Sequence, residues 1–511
     1  MMNRCGKSDA AVVAGKPANE AERSAEEQVE QRAVTEGNAD QQSTSRTPSR
    51  TSVTPALERI RRTARERKKE RFTALLHHIN PDLLAAEFFA LKKHAAAGAD
   101  GVTWRDYEQN LKANLEDLHA RIHRGAYRPQ PSRRVYIPKP DGRQRPLAIA
   151  ALEDKIVQRA TAAVLNAIYE EDFLGFSYGF RPGRSTHDAM NALMVGIERR
   201  KVNFIVDADI RAFFDTVDQE WLIRFVEHRI GDQRIIRLIR KWLKAGVLEE
   251  GTVRVSEQGT AQGAVISPLL ANIYLHYALD LWAERFRRRE ATGDMIIVRY
   301  ADDFIVGFEH EDEARHFLEE LRIRLKEFAL SLHPEKTRLI EFGRHAEDNR
   351  RRRGLGKPET FSFLGFTFIC GRSRQGKFQI RRKSRKDRMR AKLQAVKQGL
   401  QRRMHQSVLE QGKWLRQVVT GYFNYHAVPT NSRALAAFRY FVIEHWRRML
   451  RRRSQTDGTT WQRVARLASD LLPKPQILHP WPRTRFAVTH PRWEPYAGKP
   501  HVRICAGGAQ Q

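Results

Sequence analysis

The chain has 511 residues and is 41% hydrophobic, enough for two to four domains and at least one real core, which excludes a largely disordered or fibrous protein. Lys and Arg number 91 against 60 Asp and Glu, a formal charge of +31, and a surface that basic wants a polyanion. No apolar run approaches the ~18 residues of a spanning helix, so no membrane partner is expected. Cys5, Cys370 and Cys505 stand too far apart for a CxxC zinc pair or a disulfide framework, and the N-terminus has no signal-peptide core. A reducing compartment, by default the cytoplasm, is the expectation.

Residues 1–55 contain no Phe, Trp or Tyr and set 7 basic against 8 acidic residues. So little apolar surface cannot offset the entropy of ordering, and a disordered tail is expected. Ordered chain should begin in a basic helix over 57–78, followed by helical patterns at 82–97 and 104–123 on either side of Asp100-Gly101. Pro129, Pro131, Pro138, Pro140 and Pro146 surround an alternating strand at 134–137 and a turn at Asp141-Gly142, which predicts a hairpin within 127–149. A helix over 152–170 follows.

Beyond it the pattern predicts a strand at 203–210, helices at 220–230 and 234–245, short strands around 251–257, and a helix at 268–287. Strands at 295–300 and 304–308 flank a two-Asp turn, and a helix covers 311–329. The order is mixed α+β with no internal repeat. A basic connector at 350–357 leads to strands at 361–370 and 377–382, and then to helices loaded with Arg and Lys. Residues 371–455 hold 23 Lys and Arg against 3 Asp and Glu, so +20 of the +31 lies there. One more helix, near 461–472, precedes Pro-punctuated loops.

Asp302-Asp303 lies between two apolar β runs, Met-Ile-Ile-Val and Phe-Ile-Val-Gly-Phe, which predicts a hairpin with two carboxylates at its tip. An isolated Asp-Asp pair is more often an Asx turn. What separates this one is Asp209, at the end of another apolar strand, Phe204-Ile205-Val206-Asp207-Ala208-Asp209. Three acids at strand ends suit Mg²⁺, a hard ion that prefers carboxylate oxygen and shares its shell with water and phosphate. Two such ions about 3.5–4 Å apart activate a 3′-hydroxyl and stabilise a pyrophosphate leaving group, the chemistry of nucleotidyl transfer.

Tyr300-Ala301-Asp302-Asp303 resembles the signature of reverse transcriptases, and residues 101–485 resemble group II intron-encoded reverse transcriptase/maturases. The resemblance is carried in order by 99–103 (Ala-Asp-Gly-Val-Thr); Ile137-Pro138-Lys139 with Arg145-Pro146-Leu147; and 178–185 (Tyr-Gly-Phe-Arg-Pro-Gly-Arg-Ser). It continues through Asp209-Ile210-Arg211-Ala212-Phe213-Phe214-Asp215, Gln262-Gly263 with 267–272 (Ser-Pro-Leu-Leu-Ala-Asn), 332–337 (Leu-His-Pro-Glu-Lys-Thr) and Phe363-Leu364-Gly365-Phe366.

The resemblance implies an α+β right-hand polymerase: fingers and palm over 56–370, a helical thumb or maturase domain X over 371–455, and a short DNA-binding-like region over 456–511. It implies catalytic Asp209, Asp302 and Asp303, with two Mg²⁺ ions held by Asp209, Ile210, Asp302 and Asp303. Lys139, Arg145, Phe214 and Gln262 would bind the dNTP, Phe214 as the wall that rejects a 2′-hydroxyl. Asp207 and Asp215 are expected to be structural. Ser267 is read as a helix N-cap with Pro268 at the first helical position. One departure stands out: the family usually has Pro before the Gln, and here it is Ala261, which loosens the turn.

Arg381, Arg382, Lys383, Arg385, Lys386, Arg388, Arg451, Arg452 and Arg453 are expected to face RNA, while most aromatics between them fill a helical core. The implied partners are the parent intron RNA, an RNA template with a DNA or RNA primer, target DNA and dNTPs. No counterpart of the HNH endonuclease cysteines of some relatives is present. A maturase with a vestigial polymerase, and a retron or defence-type reverse transcriptase, are the alternatives.

Overall fold

The computed structural model describes residues 50–138, 144–249, 252–254, 258–260, 262–453 and 459–484. The expected tail lies outside these residues apart from 50–55, which open the first helix, Arg50–Glu66. That helix stops well short of the expected residue 78. The buried Arg229 is the reason: its guanidinium pairs with Asp172 at 2.8 Å and draws the carbonyls of Lys68 and Glu70 to 2.6 and 2.9 Å, so the chain leaves the helix to satisfy it. The next α-helix, Pro81–Phe89, is also shorter than expected; farther on, Lys155 and Arg133 hold the carbonyls of Ala96 and Ala97.

The proline-flanked hairpin is present as β1 (Ser132–Pro138) and β2 (Gln144–Ile149), antiparallel with Ile137 opposite Arg145. With β4 (Val247–Glu249) and β5 (Thr252–Arg254) it forms a sheet ordered β2-β1-β4-β5. The central sheet is ordered β6-β7-β3-β8, from β3 (Phe204–Asp209), β6 (Met295–Tyr300), β7 (Asp303–Phe308) and β8 (Arg338–Glu341). Strand alternation sends its side chains into two cores. Val206, Ala208, Ile297, Phe304 and Val306 pack with the helices before and around the sheet. Ile205, Ile296, Val298 and Ile305 pack against the helix Thr186–Arg199 and a third sheet of β9 (Phe361–Phe363), β10 (Phe366–Arg372) and β11 (Phe378–Ser384). The Thr186–Arg199 helix, absent from the sequence expectations, starts at a capping box between Ser185 and Asp188.

Four helices follow, Lys386–Arg402, Val408–His426, Ser432–Arg451 and Trp461–Leu471, around a third core centred on Leu415, Val442 and Trp446. The chain then runs back toward the Thr186–Arg199 helix: Leu478 and His479 donate to the Ala427 carbonyl at 2.9 and 3.1 Å, and Arg483 lies 3.5 Å from Glu198. No helix among the described residues is long and apolar enough to cross a membrane.

Asp232 joins the N-terminal segment to the helix it caps, Gln233–Lys244, accepting from the amides of Leu75, Leu76 and Arg234. Burial acts to raise its pKa, but the Arg234 side chain and these amides outweigh it and hold the carboxyl at about 2. Its contribution is therefore complete above the unfolded carboxylate range and is lost as pH falls toward that value. Asp232→Asn should lower the melting temperature at neutral pH, and the gap from wild type should close between pH 4 and pH 2 when melting is followed by circular dichroism.

Candidate active site

Asp209 ends β3 directly opposite Asp303 at the start of β7, so strand register alone sets two carboxylates side by side on one face. β6 and β7 pair Tyr300 with Asp303, leaving Ala301-Asp302 as a two-residue turn in which Ala301 adopts a φ of +56°. The three acids thus meet at one edge of the central sheet. Asp207, two residues back on the same face, is taken up by Arg338 at 3.4 Å, and burial pushes its carboxyl up to about 6 despite that partner. Asp215 is exposed beyond the Phe213-Phe214 pair.

Segment 331–337 crosses the end of β3, with the His333 amide on the Asp209 carbonyl, and delivers Lys336 Nζ to Asp209 Oδ2 at 2.7 Å. The surrounding protein and then the neighbouring Asp209 charge raise the Asp302 carboxyl, while Arg145 and Lys336 pull it down. Asp303, which keeps an opening to solvent, is held well above the usual carboxylate range by its surroundings, then by Asp302 and Asp209. This is the donor chemistry a hard dication requires. Among the described residues no three His, Cys, Asp or Glu side chains already close around a single point. Lys336 pairs with Asp209, a contact its sequence motif did not reveal.

The turn is positioned from beneath by Arg299, in β6, which is fully buried. It pairs with Asp280 through two bonds of 2.7 and 2.6 Å, donates to Ser177 Oγ at 2.7 Å and Asn272 Oδ1 at 3.1 Å, and reaches the Ala301 carbonyl at 2.9 Å. Asn272 in turn donates to the Gly179 carbonyl at 2.7 Å. Gly179 must be glycine, because a β-carbon there would overlap the Ala301 nitrogen. The signal for Arg299 was a lone charge at the end of an otherwise apolar run.

A line of backbone contacts runs from the turn that follows β3 to β2. Phe214, half-buried, follows Ala212 at φ +45° in a single helical turn, Phe213–Thr216. Its carbonyl accepts from the Thr260 amide at 2.8 Å, and Gly259 packs so close, at φ +81°, that a β-carbon would stand 2.7 Å from that carbonyl. Gln262 continues the line, its carbonyl accepting from Ala148 of β2 at 2.7 Å. Arg145, also on β2, acts electrostatically on Asp302. Of the expected dNTP contacts, Arg145 is thus near enough to act on Asp302 and Gln262 is tied to the same strand as Arg145, whereas Lys139 and Ala261 lie outside the described residues. The following helix starts at Ser267, with Pro268 its second residue, one position earlier than expected. The residue before it, Ile266, has no side-chain cap; Gln158 Oε1 accepts from the Val265 amide at 2.9 Å instead.

The expected RNA-facing cations divide. Arg381, Lys383, Lys386, Arg451, Arg452 and Arg453 are exposed, and Arg385 and Arg388 half-buried. Arg385 pairs with Asp387 at 2.6 Å, and Arg453 caps the Met404 carbonyl. Arg382 is a correction: it is fully buried, bonded to Asn191 Oδ1 at 3.0 Å, and faces the Thr186–Arg199 helix instead of solvent. Strand alternation at β11 turns Arg382 inward and its neighbours outward.

The family model described as "Reverse transcriptase (RNA-dependent DNA polymerase)" matches residues 137–368, the stretch that carries all three acids and this line of contacts. Protein YkfC of Escherichia coli K12 is 34% identical over 315 residues, covering 55% of this chain and 78% of that protein. Group II intron-encoded protein LtrA of Lactococcus lactis is 31% identical over 305 residues, 57% of this chain and 50% of LtrA. The chain belongs to the group II intron-type reverse transcriptases. A further relative of this reverse transcriptase is nuclear intron maturase 3 of Arabidopsis thaliana, 28% identical over 182 residues, 31% of this chain and 25% of that protein. The chain thus spans most of YkfC but half of LtrA.

Removing the Arg299 guanidinium strands Asp280 in the interior. Arg299→Met should cost ~3–5 kcal/mol in denaturant unfolding, and the double variant with Asp280→Leu should recover a large part of that loss.

Proposed function

We propose that this reverse transcriptase is the RNA-directed DNA polymerase of a group II intron, which binds its intron RNA to assist splicing and copies it into DNA during mobility. The observation that carries the reading is the strand register that sets Asp209 against Asp303, with Asp302 at the adjoining turn. Bound at Asp209, Ile210, Asp302 and Asp303, two Mg²⁺ ions would activate the primer 3′-hydroxyl and stabilise the departing pyrophosphate.

The chain's own groups do the rest. Arg145 meets the negative charge of the triphosphate. Phe214, braced through its backbone by Thr260 and Gly259, closes the space a 2′-hydroxyl would need. Gln262, tied to β2, keeps palm and fingers in step around the nucleotide. Lys336, paired with Asp209, offsets part of the negative charge that the three acids concentrate. The exposed cations of the helical unit supply phosphate contacts to intron RNA and primer–template, and target DNA is the further polyanion in mobility.

Extension of oligo(dT) on poly(rA) with Mg²⁺ should be abolished by Asp302→Ala, and unchanged extension would overturn the polymerase reading. Splicing assistance by a wild-type protein that incorporates no dNTP would identify a maturase with a vestigial polymerase. Gly259→Ala should displace the Phe214 wall, raising the KM for dNTP and lowering discrimination against NTP in single-nucleotide incorporation. Replacing Lys383, Lys386, Arg451 and Arg452 by Gln should flatten the dependence of log K on log salt for RNA by about 0.7–0.9 for each phosphate that is no longer neutralised, read by filter binding.

A further inference from the structure

We propose that Phe180 is a stacking platform for a nucleobase of the primer–template as it passes the turn bearing Asp302, an inference that rests on the polymerase reading above. Phe180 has a φ of +58°, a left-handed conformation that is a genuine outlier for a bulky side chain. The strain is imposed from both sides. Before it, Gly179 is pressed against Ala301 and held through its carbonyl by Asn272. After it, the buried Arg181 is fixed by the Leu174 and Ser177 carbonyls, each at 2.8 Å, and by Glu170 at 3.0 Å.

A backbone fixed so firmly would suit glycine, yet the position carries an aromatic ring that does no core packing. Phe180 belongs to none of the three cores and remains 39% exposed. Its ring centroid is 6.2 Å from that of Tyr300, the residue that leads into Ala301-Asp302. The strain therefore buttresses an aromatic face beside the reacting edge, which is the use to which stored backbone strain is put at binding sites. A polymerase must grip every base without reading it. Stacking on an aromatic ring does this, because every base has a π-face.

The test exploits the strain. Phe180→Gly removes the ring and relieves the backbone together, so the melting temperature should be held or raised. On poly(rA)/oligo(dT) its KM for primer–template should rise about ten-fold, the loss of one base stack, while the KM for dNTP stays at the wild-type value. Quenching of 2-aminopurine placed at the primer terminus or the paired template position should fall. Phe180→Tyr, which keeps the ring, should behave as wild type. An unchanged primer–template KM and unchanged quenching in Phe180→Gly, with a wild-type enzyme that extends normally, would overturn the platform and leave the polymerase reading standing. A lowered melting temperature with both KM values raised would also overturn it, as a packing role. Failure of the wild type to extend at all would overturn both.

Discussion

A guanidinium buried without partners would be intolerable, and Arg299 makes that constraint the organising centre of the protein. Its partners come from three stretches: the 174–184 loop through Ser177, the continuous helix from Ser267 to Asp280 through Asn272 and, in its π-helical turn His276–Asp280, Asp280, and the turn after β6 through the Ala301 carbonyl. The wider π turn brings Asp280 to face the sheet, a typical use of such bulges at functional sites. Because the charge must be satisfied from every side, these stretches adopt one arrangement, and the edge on which three acids meet is fixed by a fully buried group.

Around this centre the charge is layered. The acids sit where β3 ends and β7 begins, with Lys336 and Arg145 as cations that act on them. Farther out, the helical unit holds few acids, and those are committed locally: Asp387 to Arg385, Glu444 to Arg447 and Arg448, Glu410 to its own capping box. The surplus positive charge is left facing outward, where a phosphate backbone is the complement.

Much of this was legible in the sequence. Alternating apolar runs ending in Asp gave the central strands and their acids, and the proline-flanked hairpin and the basic helices followed from composition. What was not legible depends on distant partners. The first helix ends at Glu66 because Arg229, far along the chain, claims the carbonyls of the residues that follow it; no local propensity records that. Arg382 looks like its neighbours in a basic run, and only the inward-turned position in β11 separates it from Arg381 and Lys383. The line of contacts through Phe214, Thr260 and Gln262 is built from backbone hydrogen bonds, which carry no residue signature beyond the glycine they require.

The return of the chain after Trp461–Leu471 has a mechanical consequence. The helical unit leaves the palm through β11, where Ile380 and Arg382 hold Glu198 and Asn191, and comes back through His479, whose ring lies 3.9 Å from that of His187, and Arg483. Entry and exit are both fastened to one short helix, Thr186–Arg199. The bundle is thus tied to this helix at both ends, while Tyr425 and Val428 pack it on the sheet of β9, β10 and β11. A change that shortened this helix would therefore loosen both ties at once.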